Sequence, residues 1–374
     1  MRPIPWYDIA FEVISHIDPC DTPTLLACTL THSLWTIPAQ RRLYQTLKIR
    51  NGEGMRRWYE FDTNDRLTSY VRHLIYCGDE GNPLRPRDFL EMYGRQFLCF
   101  NKLHTLEIRH LDLEQFDLNS FMLAFGHLGD TLRALLIGNV KMSLNRFLEL
   151  LSLFPRLQCL GLACFTIGRE PSPVPSERPT FRGTLNLSGP VDKHGLRFIT
   201  DLTRMLPNFS SVRLRLNLSY HATRRLLETP GLANNVTTML LGYQDGIPEC
   251  IDLSRCHNLR MLSIRTQGRS ERLSTSLATQ EKLFRLLETL TSRELEFIII
   301  EASCELSLMR YRTWGYFFKV FSTLQASCKH LSIVVDPCER FMAKNFKKGE
   351  ILARFLGFGN EDKRILGHCV DTVY

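Results

Sequence analysis

The sequence lacks any run of about 18 uninterrupted apolar residues, so no segment is long enough to cross a bilayer as a helix. It holds 12 cysteines yet has no C-x-x-C; the nearest pairs, Cys159/Cys164 and Cys250/Cys256, are not spaced as zinc ligands, and no metal site is expected. There is no G-x-x-x-x-G-K-[ST] to cradle a phosphate, no H-E-x-x-H and no G-x-S-x-G. Gly357-x-Gly359 is missing a third glycine and a preceding strand, and Glu361-Asp362 sits in a polar stretch. His104, His110 and His127 are neither spaced nor partnered as ligands. These absences predict a non-enzymatic chain without cofactor. No run of five or six like charges occurs, although the net charge is +8. The opening residues, Met1 to Asp8, contain no apolar h-region, so no secretory signal is read there. Cytoplasm or nucleus, with reduced and mostly buried thiols, is the expectation.

What is present suits a folded protein: 374 residues, 44% hydrophobic and 23% charged. A template of apolar-x-x-apolar-x-apolar recurs through most of the length. It reads Leu103-x-x-Leu106-x-Ile108, Leu132-x-x-Leu135-x-Ile137 and Leu157-x-x-Leu160-x-Leu162, then Phe209-x-x-Val212-x-Leu214, Val236-x-x-Met239-x-Leu241, Leu259-x-x-Leu262-x-Ile264 and Leu295-x-x-Ile298-x-Ile300. Weaker copies centre on Leu47, Leu74, Leu185 and Leu331. Successive centres lie 23 to 36 residues apart, near the period of leucine-rich repeats. Alternation at period two marks a short strand with one buried face.

Between these strands, helical spacing recurs. Ser143 is a plausible N-cap for a helix from Leu144 to Phe154, and Asp192 for one carrying Leu196, Ile199, Leu202 and Leu206. Phe284, Leu287 and Leu290 repeat the spacing, as do Trp314, Phe317, Phe318 and Phe321. Strand then helix, repeated, predicts an α/β fold: an irregular leucine-rich-repeat solenoid with the strands on the concave side of a horseshoe. The asparagine such repeats place three residues past the template is replaced by Leu111, Val140 and Phe165, which predicts irregularity. The segment from Arg169 to Pro179, with four prolines, reads as a surface loop.

The N-terminal stretch differs. Asp8 is placed as the cap of a helix bearing Ile9, Val13 and Ile17. Pro19 ends that helix, and Thr22-Pro23 reads as cap and first helical residue of a second, with Leu25, Leu26 and Leu30. A third helical stretch carries Trp35, Leu43 and Tyr44. Three short helices make too small a core to stand alone, so they must lean on the repeats, on a partner, or on both.

Ile4-Pro5, Asp8-Ile9, Val13-Ile14-Ser15-His16-Ile17-Asp18, Asp21 to Leu30, Trp35 and Arg41-Arg42-Leu43-Tyr44 together resemble the F-box of fungal-type F-box/leucine-rich-repeat proteins, over roughly residues 4–48. One extra residue before Asp8-Ile9, and Thr31-His32 in place of the Val-Cys favoured there, are departures from that pattern. The resemblance implies a substrate receptor of a cullin-RING ubiquitin ligase, docking a Skp-family adaptor through the helices and a protein substrate through the repeats. The implied organisation is an F-box-like helical module at 1–44, the solenoid at 45–336 and a capping tail at 337–374. The adaptor-binding residues it implies are Ile4, Pro5, Ile9, Val13, Ile14, Ile17, Leu25, Leu26, Leu30 and Trp35.

On the strands, residues flanking each buried centre alternate to the open face. That places His73, Glu107, Arg109, Asn186, Arg213, Arg215, Arg265 and Glu301 there as candidate substrate-binding residues. Mutual pairing across adjacent strands is one reading of them. The other is that Arg213, Arg215 and Arg265 form a basic patch for an acidic or phosphorylated segment. Two further functions stay open: an interaction scaffold with a vestigial F-box, and nucleic-acid binding. The charge of +8 favours the latter, and the lack of aromatics among those arginines argues against it.

Overall fold

The computed structural model describes residues 6–18, 21–50, 65–78, 94–113, 118–163, 166–167, 181–190, 193–206, 208–217, 220–229, 231–243, 251–266, 273–302, 319–320, 322–324, 326–328 and 332–337. The chain divides into two compact units, Met1–Arg213 and Leu214–Tyr374.

The first unit opens with three helices: α1 (Trp6–Ser15), α2 (Thr22–Thr31) and α3 (Ser33–Leu43). Two starts differ from expectation. Asp8 lies inside the first turn of α1, where its charge still complements the helix dipole, and is not the cap. The cap of α2 is Asp21, whose carboxylate accepts from Thr24 N at 3.2 Å; Thr22 already belongs to the helix. Pro38 sits inside α3, and His32 caps that helix by accepting from Leu34 N. Ile14, Leu25 and Ala39 form the common core, with Ile17, Cys28, Trp35 and Leu43 packed against it. The module leans on the repeats as its small core requires. The Arg66 guanidinium donates to Gln40, and that of Arg41 lies over both the Phe11 and Tyr70 rings. α3 ends at Leu43, and Tyr44 and Gln45 lead directly into the first strand.

That strand is β1 (Thr46–Arg50), followed after the short α4 (Asp65–Thr68) by β2 (His73–Cys77), β3 (Thr105–Arg109) and β4 (Ala134–Gly138). β5 (Lys141–Met142), β6 (Cys159–Ala163), β7 (Thr166–Ile167) and β8 (Thr184–Pro190) complete the set. β1, β2, β3, β4, β6 and β8 pair in that order, all parallel. β5 and β7 form a separate two-residue pair. The register aligns Leu47, Leu74, Leu106, Leu135, Leu160 and Leu185 as one row. A second row runs Ile49, Tyr76, Ile108, Ile137, Leu162 and Leu187. Apart from half-buried Leu47, these side chains are buried. The template's two inner apolar positions thus make two continuous ladders, and parallel pairing in sequence order is what a strand-helix repeat predicts.

Behind these ladders lie α5 (Leu118–Phe125), α6 (Leu144–Ser152) and α7 (Lys193–Met205). Ser143 caps α6, accepting from Arg146 N, and Phe147, Leu148, Leu150 and Leu151 turn inward. Near β2 the space is filled by rings: Phe97 packs on Tyr76, Phe100 and Phe125. Leu111 and Val140, standing where the repeat asparagine is expected, are buried instead.

The division falls within β9 (Ser211–Asn217). In the second unit come α8 (Tyr220–Glu228), α9 (Leu232–Asn235), β10 (Val236–Tyr243), β11 (Met261–Thr266), α10 (Leu273–Glu288), β12 (Phe297–Ala302) and β13 (Ser332–Pro337). β10 to β13 pair parallel in order, with Met239, Leu262, Ile298 and Ile333 aligned. The last copy of the template is therefore centred on Ile333 and not on Leu331. Its first half is missing, so the alternation alone left the register two residues uncertain. Asp192, the stretch from Trp314 to Phe318 and, past Pro337, the expected capping tail lie outside the described residues.

Candidate interaction surfaces

The module's ten expected docking residues separate by burial. Ile14 and Leu25 are the centre of its own core, which corrects their place on the expected docking surface: buried side chains hold the helices together. Ile17 and Trp35 are half-buried against that core. Ile9, Val13, Leu26 and Leu30 face outward, while Ile4 and Pro5 lie outside the described residues. Sequence reading missed three more exposed apolar side chains, Trp6, Phe11 and Leu34. Trp6 is 75% exposed and Leu30 86%.

The signal for this was in the spacing. Ala10 and Ile14 on α1 go inward, and Ile17, just past the end of the helix, packs half-buried against the same core. Trp6, Ile9 and Val13 follow a second stripe and stay outside. On α2, Leu26 and Leu30 repeat the outward spacing while Leu25 and Cys28 turn in. A helix apolar on two sides is built to be covered on both.

The strands carry the second surface. In the first unit, the face opposite the buried ladders presents, in register, Lys48, Ile75, Glu107, Leu136, Gly161 and Asn186. His73 and Arg109 belong to the same face, two residues before Ile75 and two after Glu107. The Glu107 side chain is only 13% exposed, because half-buried Ile75 and Leu136 flank it. It is compensated on two sides: His73 Nε2 approaches Oε2 at 3.2 Å and Arg109 Nε donates to Oε1. The His73 contact holds the Glu107 carboxyl below its ordinary range, and Arg109 adds to this against the opposing effect of burial. Contact at ion-pair distance leaves His73 Nε2 without an aligned hydrogen bond. Further along, Asn186 donates to the Cys159 sulfur at 3.1 Å while its own Oδ1 is buried without a partner. Burial pushes the Cys159 thiol up, so it stays protonated.

Of the expected binding residues, His73, Glu107, Arg109 and Asn186 are thus brought to one face, three of them tied to each other. Arg213 is exposed at the end of the first unit. Arg215, Arg265 and Glu301 belong to the second, their side chains outside the described residues; Arg265 and Glu301 are register partners on β11 and β12. The apolar component, Ile75 and Leu136, was not foreseen: it interrupts a face read as cationic.

Among the described residues, no three His, Cys, Asp or Glu side chains gather as a metal site, and no helix is long and apolar enough to cross a membrane. Cys28, Cys77, Cys159, Cys256 and Cys328 are free thiols.

No protein-family model matches the sequence, and no curated protein matches it. Among solved structures, the leucine-rich repeat-containing protein LegL7 from Legionella pneumophila is similar over 84% of this chain and 91% of its own, with a TM-score of 0.43 and 11% sequence identity.

Proposed function

We propose that this protein is a non-enzymatic adaptor of the cytoplasm or nucleus, a substrate receptor that docks a Skp-family adaptor of a cullin-RING ubiquitin ligase through α1 and α2 and holds a protein through its repeats. The observation that carries this reading is the uncovered second stripe, Trp6, Ile9 and Val13 on α1 with Leu26 and Leu30 on α2. Side chains this large and apolar, on a module with so small a core, gain when a partner buries them: up to about 1.5–3 kcal/mol for one that is fully exposed, and less for the half-covered Ile9, Val13 and Leu26. The resemblance of the same segment to an F-box names that partner. Recombinant chain mixed with a Skp-family adaptor is expected to co-elute as a complex. If neither the full chain nor residues 1–50 fused to a carrier captures the adaptor, this reading fails.

A second reading, an interaction scaffold whose module no longer docks, is favoured by one observation. Thr31 and His32, the departures from the F-box pattern, are engaged in the α2–α3 turn, through Thr31 Oγ1 to the Ala27 carbonyl and through the His32 cap. It predicts that a repeat-bound protein is retained after the outward stripe is replaced by polar residues and that no ubiquitin transfer accompanies binding.

A further inference from the structure

Three arginines that belong to neither surface meet in one place. Arg133 precedes β4, Arg156 leads through Leu157 and Gln158 into β6, and Arg182 leads through Gly183 into β8. The backbone stacks these strand starts. Gln158 N donates to the Arg133 carbonyl at 2.8 Å, Thr184 N to that of Gln158 at 2.8 Å, and Ser210 N to that of Gly183 at 3.1 Å. The three side chains line one open cleft of about 620 Å³, together with Gln158, Gly183 and Ser210. Gly183 is required for this shape: a Cβ there would lie 2.2 Å from the Gln158 carbonyl oxygen, so the two backbone levels touch without a side chain between them.

The electrostatics are unbalanced. Among the described residues, no acidic side chain lines the cleft. Arg156 Nε meets Asp130 at 3.1 Å in a pair exposed on both sides, which screening leaves weak. Arg133 donates to the Arg156 carbonyl at 3.4 Å and makes no ion pair among the described residues. Arg182 makes no ion pair among the described residues. Guanidinium forks match phosphate oxygens two at a time, and the Gln158 amide and the Ser210 hydroxyl add neutral donors. Among the described residues no aromatic ring lines the cleft, so none of them stacks a base; Pro155 and Leu157 supply the apolar contact that a peptide flank takes.

We propose that this cleft, at the strand starts of β4, β6 and β8, is a binding site for a phosphorylated segment of a partner protein, with Arg133, Arg156 and Arg182 as the phosphate ligands. The site is separate from the N-terminal helices, so it stands whether or not the module docks an adaptor.

The test uses the intact chain and three fluorescent probes at low salt: a degenerate phosphoserine dodecapeptide pool, the same pool unphosphorylated, and a single-stranded oligonucleotide of similar length. The phosphorylated pool is expected to bind at least tenfold more tightly than the unphosphorylated one and more tightly than the oligonucleotide. Inorganic phosphate should compete only at far higher concentration. Arg156→Ala/Arg182→Ala, both exposed positions, should weaken the phosphopeptide at least tenfold, whereas the charge-matched Arg224→Ala/Arg285→Ala on helices α8 and α10 should not. Ser210→Glu keeps every arginine and should give the same loss by placing a carboxylate in the cleft. Equal binding of the two peptide pools, tighter binding of the oligonucleotide, competition by inorganic phosphate at peptide-like concentration, or unchanged affinity in the folded Ser210→Glu chain would each overturn the proposal.

Discussion

His73 on β2 and Glu107 on β3 meet across neighbouring strands, Nε2 to Oε2 at 3.2 Å, on the face of the sheet that also carries Ile75 and Leu136. An apolar surround alone would favour a protonated carboxyl. The His73 contact and the Arg109 hydrogen bond outweigh that, so Glu107 is ionised and its neighbours are held by it.

The pH dependence follows from the sign of that shift. The Glu107 carboxyl titrates lower in the folded chain than in the unfolded one, so its stabilisation is present above its ordinary value of 4.5 and is lost as pH falls through the folded value. Glu107→Gln should cost about 1.5–3 kcal/mol at neutral pH, the range for hydrogen bonds to a charged group. Denaturant unfolding of parent and variant at pH 7 and at decreasing pH below 4.5 should show the difference narrowing. A constant difference would mean that charge at Glu107 is not what stabilises the face.

On α1, adjacent residues should behave oppositely. Val13 is 46% exposed, so Val13→Asp is expected to leave the melting curve in place and abolish adaptor capture. An unpaired carboxylate buried at an interface costs roughly 3–5 kcal/mol, enough to lose a micromolar complex. Ile14 is buried in the module core, and Ile14→Ala should unfold the three helices, costing about 2–5 kcal/mol, read by circular dichroism. Equal adaptor capture by parent and Val13→Asp would remove the outward stripe from the docking surface.

Leu106, Leu135 and Leu160 of the first unit and Leu262 of the second are fully buried at the same position of the apolar template. Each truncation to Ala should cost about 2–5 kcal/mol. Hydrogen exchange should show protection lost first in the strands paired with the altered one, since each repeat rests mainly on its neighbours. Uniform loss throughout a unit would indicate a core more cooperative than a repeat array.

Two glycines of the first unit should differ. A Cβ on Gly183 meets backbone at the Gln158 carbonyl, whereas one on Gly161 meets first the far end of Leu136, 2.5 Å from Cδ2, which can turn aside. Gly183→Ala should therefore cost about 1–3 kcal/mol through forced backbone movement, and Gly161→Ala clearly less. Thermal melts of the two variants compare them directly; a milder effect at Gly183 would contradict the close backbone approach.

Much of this was legible before folding was considered. The template Leu103-x-x-Leu106-x-Ile108 and its copies fixed which residues point inward, because alternation at period two is a property of one strand alone. Ser143 as a cap needed only its neighbours, since capping satisfies local backbone donors. Asp21 was missed by one residue because Asp21 and Thr22 both offer capping oxygens and only the backbone path chooses between them.

The sequence by itself determined the repeat, the inward rows and the separate character of the N-terminal helices, all set by spacing along short stretches. Only the tertiary structure decided the relations between stretches. It turned Ile14 and Leu25 inward and left Trp6 and Val13 bare, because two apolar stripes on one helix compete for a single small core. It bound His73 and Arg109 to Glu107, and it set Arg133, Arg156 and Arg182 around one cleft. Parallel stacking does this: residues a full repeat apart in sequence become neighbours one strand spacing of about 5 Å apart.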